Sequence, residues 1–488
     1  MHVIIVVDNP RDWPFRVAGV EVASADRYLS HPDYAEIKGA RIFNLCRSYR
    51  YQGTGYYVSL LAEARGHRPM PSVAALQDMK NRAVLRIVSE DLDELIQQSL
   101  DGIRTSPFDL SVYFGRNMAA RHDRLSLRLF NLIPVPLLRA RFRLRERWQL
   151  QSIQVIPGGA VPETHRDFVA DTAASYFAGR RPRARTPARQ RYDLAILHNE
   201  AEEEPPSDRK ALRKFMHAAE RVGLGPTLVT RDDYARLGEF DALFIRETTA
   251  VDHHTYRFAQ RAAAEGMVVI DDPRSISRCT NKIFLAEAAE RFGLPVPRTV
   301  IIGQDDPGVV LETVGLPCVL KIPDSSFSRG VIKVESADEL AASIERFRKG
   351  SDLVLAQEFL PTEFDWRVGL LGGKPLYVCK YFMAQDHWQI IRRAGTRTFA
   401  GKVQTLAVED APARVVQTAL RAARPFGDGL YGVDLKQVGR QVFVIEVNDN
   451  PSIDAGYEDA VLKDALYDAI MQAFVDRLDA RRKNGNPR

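Results

Sequence analysis

No stretch of the 488-residue sequence approaches the roughly 18 consecutive apolar residues that a membrane helix needs, which argues against a transmembrane helix. Cysteine is scarce, and the four present (Cys46, Cys279, Cys318, Cys379) lie far apart with no metal-type spacing. Reduced thiols in a cytoplasm are the simplest account of them. The Gly-Lys-Ser/Thr ending of the common phosphate loop is missing. No Ser-His-Asp or Cys-His nucleophile is evident, and His198 and the pair His253-His254 read as surface or structural. A strong charge of one sign is also lacking: 68 Lys and Arg stand against 63 Asp and Glu, a net charge of +5. That balance admits an anionic partner without requiring one. The opening "MHVIIVVD" has no basic lead and an early acid, so it reads as a first buried strand, not as a signal peptide.

What is present is a globular composition, 45% hydrophobic and 27% charged, at a length that implies two or three domains. The clearest boundary is "GRRPRARTPARQR" (179–191), where prolines and like charges exclude a core and a regular element, leaving a solvated linker. A nucleic-acid patch is the second reading of this run, weakened because no aromatic residue interrupts it. Beyond it, strands (192–197, 242–245, 267–270) alternate with helices (208–222, 252–265, 281–292), the pattern of a small parallel α/β unit. From about residue 295 strands and hairpins dominate, with helices near 337–348, 411–423 and 459–478, and the tail "RRKNGNPR" reads as disordered. The N-terminal part has α/β character, with helices near 84–100. Within it Arg139, Arg141, Arg143, Arg145 and Arg147 alternate along one predicted strand. Such a charge run reads first as a solvated face, and second as a dock for an anionic substrate.

The most informative segment is "LYGVDLKQVGRQVFVIEVN" (430–448), two strands joined at Val438-Gly439-Arg440. A three-residue loop puts Tyr431, Val433, Leu435, Phe443, Ile445 and Val447 on one apolar face and Asp434, Glu446 and Asn448 on the other. Asp434 and Glu446 then sit diagonally, with Cα atoms roughly 7–8 Å apart. Two carboxylates and an amide oxygen are hard ligands suited to magnesium, which favours phosphate oxygens as further ligands, so the hairpin predicts a nucleotide nearby. In "CVLKIPDSSFSRGVIKV" (318–334), Lys321 interrupts an apolar strand and needs an anion. The loop with Ser325, Ser326, Ser328 and Gly330 can present backbone N–H groups to phosphate. "QEFLP" (357–361) leaves a strand as an adenine-binding connection would. A Gly372-Gly373 turn predicts Asp365 opposite Lys380.

Taken in order, Asn281-Lys282, Lys321 with its loop, Gln357-Glu358-Phe359-Leu360, Lys380 and "GVD…IEVN" resemble the ATP-grasp superfamily. The similarity is greatest to its RimK-like branch, which attaches glutamate to a ribosomal protein. It spans about residues 192 to 475, and the preceding region looks like the extra N-terminal domain of longer RimK-like proteins. The resemblance implies a multidomain α/β and α+β chain. Its parts are an N-terminal accessory domain (1–178), the linker (179–191), a small parallel α/β pre-ATP-grasp unit (192–278), an ATP-grasp domain with antiparallel sheets enclosing the nucleotide (279–480) and the tail (481–488). It further implies that Lys282 and Lys321 hold ATP phosphates under the Ser325–Gly330 loop. Glu358 and the Phe359–Leu360 backbone would meet adenine, Asp365 the ribose, and Gln357 would belong to the same nucleotide-binding connection. Asp434, Glu446 and Asn448 would bind magnesium, or manganese in its place. Lys380 would support the phosphates, and Arg392, Arg393 and Arg397 the transferred phosphate or the acceptor.

The implied reaction is cytoplasmic carboxylate–amine ligation: a carboxylate attacks the γ-phosphate, and an amine displaces phosphate from the acylphosphate. The acceptor would be an amino acid, peptide or protein carboxylate, with no membrane or nucleic acid involved, and a homo-oligomer is compatible with this reading. Two alternatives remain open: a kinase on the same fold phosphorylating a small molecule, and a non-catalytic ATP-binding regulatory protein.

Overall fold

The computed structural model describes residues 2–15, 17–37, 39–81, 85–86, 88–89, 92–178, 191–303, 307–324, 330–385, 387–394 and 397–483, with the side chains of 178 and 391–400 excepted. Linker residues 179–190, Ser325, Ser326, Ser328 and the last five residues of the expected tail lie outside them. The chain forms two compact units, one of residues up to 178 with 232–240 and 481–483, the other of 191–231 with 241–480.

The first unit opens on a four-stranded parallel sheet, in the order 20–24, 3–7, 41–44, 68–70. Its central strands Val3–Val7 and Arg41–Asn44 are almost wholly buried, as parallel strands covered on both faces are. A separate antiparallel sheet joins Phe108–Tyr113, Leu137–Leu144 and Trp148–Val155. The expected arginine strand therefore ends at Leu144, and Arg145 and Arg147 belong to the turn. Ala140 and Phe142 point into the core while Arg141 and Arg143 are exposed. Two acids answer this face: Asp109 takes a two-pronged bond from Arg141, at 2.7 Å on each arm, and Asp93 lies 2.8 Å from Arg147.

In the second unit the small parallel sheet has four strands, in the order 268–270, 242–245, 192–197, 224–229. The strand Leu224–Val229 is absent from the sequence reading because Gly225 and Pro226 look like a turn. It is an edge strand, where a proline costs no ladder bond. The helix Arg209–Arg221 is capped by Asp208, whose side chain accepts from Ala211 N–H, and it buries Ala211, Phe215, Ala218 and Ala219 along one stripe. Phe215 meets Phe244 and Tyr467 edge-on, with centroids 5.0 and 4.7 Å away. Tyr467 belongs to the C-terminal helix Asp464–Lys483, so one core unites the small sheet with that helix and with strand residues Tyr377 and Cys379. The expected 192–278 domain is thus not a separate compact unit: its hydrophobic face is covered by the chain's own C-terminal helix.

Two antiparallel sheets complete this unit. One has four strands, in the order 299–302, 354–358, 318–321, 331–334, and the other five, in the order 403–406, 374–382, 364–371, 430–438, 441–449. The fold is thus mixed α/β with several sheets, and the antiparallel pair carries the site.

Candidate active site

The hairpin Leu430–Val438 and Gln441–Asp449 reaches its shared polar face by a route that differs from the expected one. Val438 pairs with Gln441, so the loop is the two residues Gly439-Arg440, and the register shifts at Asp434/Leu435. Leu435 pairs with Val444 and Asp434 with Glu446, leaving Ile445 as the extra residue of a bulge. The core face is consequently Tyr431, Val433, Leu435, Val442, Val444 and Val447, with Phe443 and Ile445 turned out of it. Asp434 and Glu446 are directly opposed, not diagonal, and Asn448 pairs with Gly432 next along the ladder.

These three residues line a cavity of about 930 Å³, within the size range of small-molecule sites. Lys282, Lys321, Gln357, Glu358, Phe359, Leu360 and Asp365 line it too. Lys282 opens the helix Lys282–Phe292 just after its cap Asn281, and its Nζ lies 3.1 Å from Glu446. Burial pushes the Glu446 carboxyl up, but the ammonium groups of Lys282 and Lys321 outweigh it and hold the pKa below the usual range. Lys321 is only 8% exposed and donates to Gln357 Oε1 at 2.7 Å. Burial lowers its pKa to about 8, opposed by the charge of Glu446. Burial raises Asp434, against the pull of Arg367. Arg367 forks onto Asp434, Nε–Oδ1 2.7 Å and Nη2–Oδ2 2.8 Å. Each carboxylate oxygen has a second lone pair, so the fork leaves Asp434 able to bind a cation. Asn448 Nδ2 donates to Asp434 Oδ2 at 3.1 Å, which leaves its amide oxygen as an acceptor. Two carboxylates and one amide oxygen fit a magnesium-class ion.

One stretch of the cavity wall is apolar. Val319, Val331, Phe359, Leu360 and Ile445 line it with Trp388, and Trp388 meets Phe359 edge-on at 5.9 Å. Glu358 is held by Arg298, Nε–Oε2 3.1 Å, and this bond lowers its pKa. Asp449, Asp454 and Glu458 line the cavity as well. Asp454 is raised to about 6, by burial first and by Glu458 second. Burial also raises Asp449, which accepts from Thr249 Oγ1 at 2.8 Å. Asn450 touches the cavity, but its amide is occupied, receiving from Arg246 at 2.7 Å and donating to the Glu247 carbonyl at 2.7 Å.

Lys380 does not join the site. It pairs with Trp366, not Asp365, and its ammonium sits over the Phe364 and Trp366 rings, 4.7 and 5.0 Å from their centroids. A register shift at Gly369/Leu370 in this hairpin moves the pairing by one residue and turns Lys380 to the other face. Asp365 instead binds Lys436, at 2.6 Å. Arg367 and Lys436, absent from the sequence reading, stand two residues from Asp365 and Asp434, so strand alternation was their signal. What hid them was the pairing of strand 364–371 with 430–438, which no local pattern announces. Gly330 lies at the return of its loop with φ 71°, and its carbonyl accepts from Ile322 N–H at 3.0 Å. Arg392, Arg393 and Arg397 fall on a two-stranded ribbon, 391–394 with 397–400, with side chains outside the described residues.

Residues 25–172 match the family described as RimK-like ATPgrasp N-terminal domain. The chain is 27% identical over 246 residues to a "Probable alpha-L-glutamate ligase 1" of Shewanella denitrificans, covering 49% of this chain and 79% of the relative. A "Probable alpha-L-glutamate ligase" of Teredinibacter turnerae is 27% identical over 252 residues, 51% of this chain and 80% of its own. The crystal structure of a RimK domain protein ATP-grasp from Sphaerobacter thermophilus overlaps 57% of this chain and 98% of its own, at 20% identity and a TM-score of 0.44. With an N-terminal match to that family and sequence relatives of one kind, the chain is similar to RimK-like ATP-grasp proteins.

Proposed function

We propose that the chain is an ADP-forming ligase that joins a carboxylate to an amine as an amide, through an acylphosphate. The observation that carries this reading is one cavity holding Asp434, Glu446 and Asn448 together with the ammonium groups of Lys282, Lys321 and Lys436. Phosphoryl transfer asks little covalent work of side chains; it needs charge neutralised and geometry held. A magnesium ion at Asp434, Glu446 and Asn448, or manganese in its place, would neutralise phosphate charge when bound. Lys282 and Lys321 hold the ATP phosphates, and Gln357 fixes the position of Lys321. Arg367 opposes the upward push of burial on the Asp434 carboxyl and fixes its orientation. Phe359, Leu360 and the apolar wall take adenine, and Asp365 takes the ribose. Asp454 and Glu458 stand where an incoming ammonium group can be bound and relieved of its proton.

The name alpha-L-glutamate ligase carried by the sequence relatives supports glutamate as one substrate, with an amino acid, peptide or protein carboxylate as the other. Four buried free thiols fit a reducing cytoplasm, and among the described residues no helix is long and apolar enough to cross a membrane. The test is phosphate release from ATP across a panel of amino acids and acidic peptides, with mass spectrometry of the products. A ligase gives ADP and an amide-linked adduct in equal amounts. A phosphorylated acceptor with no amide would replace this reading with the kinase, and no turnover with any pair would replace it with the regulatory protein.

A further inference from the structure

The crevice beyond the small parallel sheet holds a second cluster that the ligase reading does not use. Chain order reverses there between the neighbouring strands Tyr192–Leu197 and Ala242–Ile245, and ligands of open α/β sheets sit beyond the carboxyl ends of such strands. After Ile245 the chain runs Arg246-Glu247-Thr248-Thr249 and, with His253 as cap, enters the helix His254–Ala264. Glu247, His253 and His254 each bring one ligand atom to a region where all three atoms lie within 4.8 Å of one another.

Glu247 is 2% exposed, and its Oε2 is buried without a hydrogen-bond partner. His254 Nε2 lies 2.8 Å from Glu247 Oε1, yet it too makes no hydrogen bond. Buried polar atoms are normally satisfied, so two unsatisfied ones on neighbouring side chains call for an explanation. His253 is prepared in the manner of a ligating histidine. Its Nδ1 is 3.1 Å from Thr255 Oγ1, and that hydroxyl gives its own proton to the Thr248 carbonyl at 3.3 Å. Nδ1 must therefore donate, which leaves the lone pair on Nε2. Glu202, bonded by Thr248 N–H at 3.1 Å, adds acid nearby.

We propose that Glu247, His253 and His254 form a zinc-class divalent metal site, separate from the oxygen ligands of the hairpin. Two imidazoles and one carboxylate favour zinc over magnesium and leave a fourth position open. None of the three lines the nucleotide cavity, but Thr248 and Thr249 between them do. An ion here would brace that stretch of cavity wall, in which Thr249 holds Asp449.

The experiment strips the full chain with a chelator and titrates it with Zn²⁺, and with Co²⁺ as a spectroscopic stand-in. The expected result is one Zn²⁺ per chain, a tetrahedral-type Co²⁺ spectrum, and no displacement by excess Mg²⁺. Glu247→Gln and His254→Ala should each weaken zinc at least 100-fold, and Thr255→Val about tenfold through loss of the outer hydrogen bond. Glu446→Gln, in the other site, should leave zinc binding unchanged. Should His254→Ala fail to fold, His253→Ala read by the Co²⁺ spectrum decides the same point. Wild-type protein that takes up no stoichiometric zinc, or variants that bind it as well as wild type, would overturn the site.

Discussion

Two hairpins in this molecule share a plan and differ in what surrounds it. The hairpin of residues 137–155 and that of 430–449 both alternate apolar and charged residues, and both contain a register shift, at Arg141/Phe142 and at Asp434/Leu435. In the first, the Arg141–Asp109 pair is 52% and 35% exposed. In the second, the equally close Arg367–Asp434 pair is 13% and 17% exposed. Water screens the first pair, and its geometry contributes little. Around the second, each charge leans on another, from Arg367 to Asp434 and from Lys282 to Glu446. Removing one member there leaves the rest uncompensated. Alternation alone does not distinguish a binding face from a wet one; burial with opposed charges does.

The sharpest way to break that contrast is Glu446→Ala. Loss of this carboxylate should lower ATP turnover by about 10²-fold or more and remove the magnesium dependence of ADP binding, while circular dichroism remains that of a folded chain. Turnover and magnesium dependence at wild-type levels would reduce the buried hairpin to a structural element.

Next in size is Arg367→Ala, which tests the claim that the buried pair is held mutually. Asp434 would stay buried without its partner, a loss of about 3–5 kcal/mol when one member of a buried pair is removed. A large fall in melting temperature is expected. Arg367→Lys should recover only part of it, because a single ammonium cannot reproduce the two-pronged bond. A melting temperature within a degree or two of wild type for Arg367→Ala would put this pair in the same class as Arg141–Asp109.

How much of this was legible before the fold was known follows from the same physics. The grouping of Asp434, Glu446 and Asn448 was readable because the apolar residues of the hairpin define its faces. The loop length was not, since a two-residue loop with a bulge at Ile445 satisfies the same pattern as a three-residue loop. Lys321 declared itself as a charge inside an apolar strand. Lys380 looked equivalent, yet it rests on two aromatic rings, an alternative that composition cannot separate from an ion pair. Arg367 and Lys436 needed the non-local pairing of strands 364–371 and 430–438. Pro226 concealed an edge strand. The whole of the Glu247, His253 and His254 cluster escaped, because the two histidines look like surface residues until the buried Glu247 is placed beside them.

A third test sharpens the comparison through pH. Burial lowers the pKa of Lys321 to about 8, where an ordinary lysine is near 10.4. Its ammonium is therefore charged below about pH 8 and lost as pH rises through that value, so ADP affinity in wild type should decline above it, by up to about tenfold per pH unit. Lys321→Met should bind ADP more weakly throughout and show no such decline. A wild-type affinity that holds level to pH 10 would mean that the lysine does not bear on the phosphates.

The smallest effect belongs to the exposed hairpin. Arg141→Ala should cost under about 1 kcal/mol, since both partners are reached by water and the lost attraction is replaced by hydration. The shift in melting temperature should shrink further in high salt, where exposed pairs are screened. Arg143→Glu with Arg145→Glu should leave ATP turnover and the Michaelis constant for an acidic acceptor unchanged, because a solvated face does not recognise substrate. A rise in that constant with kcat preserved would be the one result that promotes this hairpin from a wet surface to a dock. The contrast between the two hairpins would then be one of substrate against nucleotide, not of surface against site.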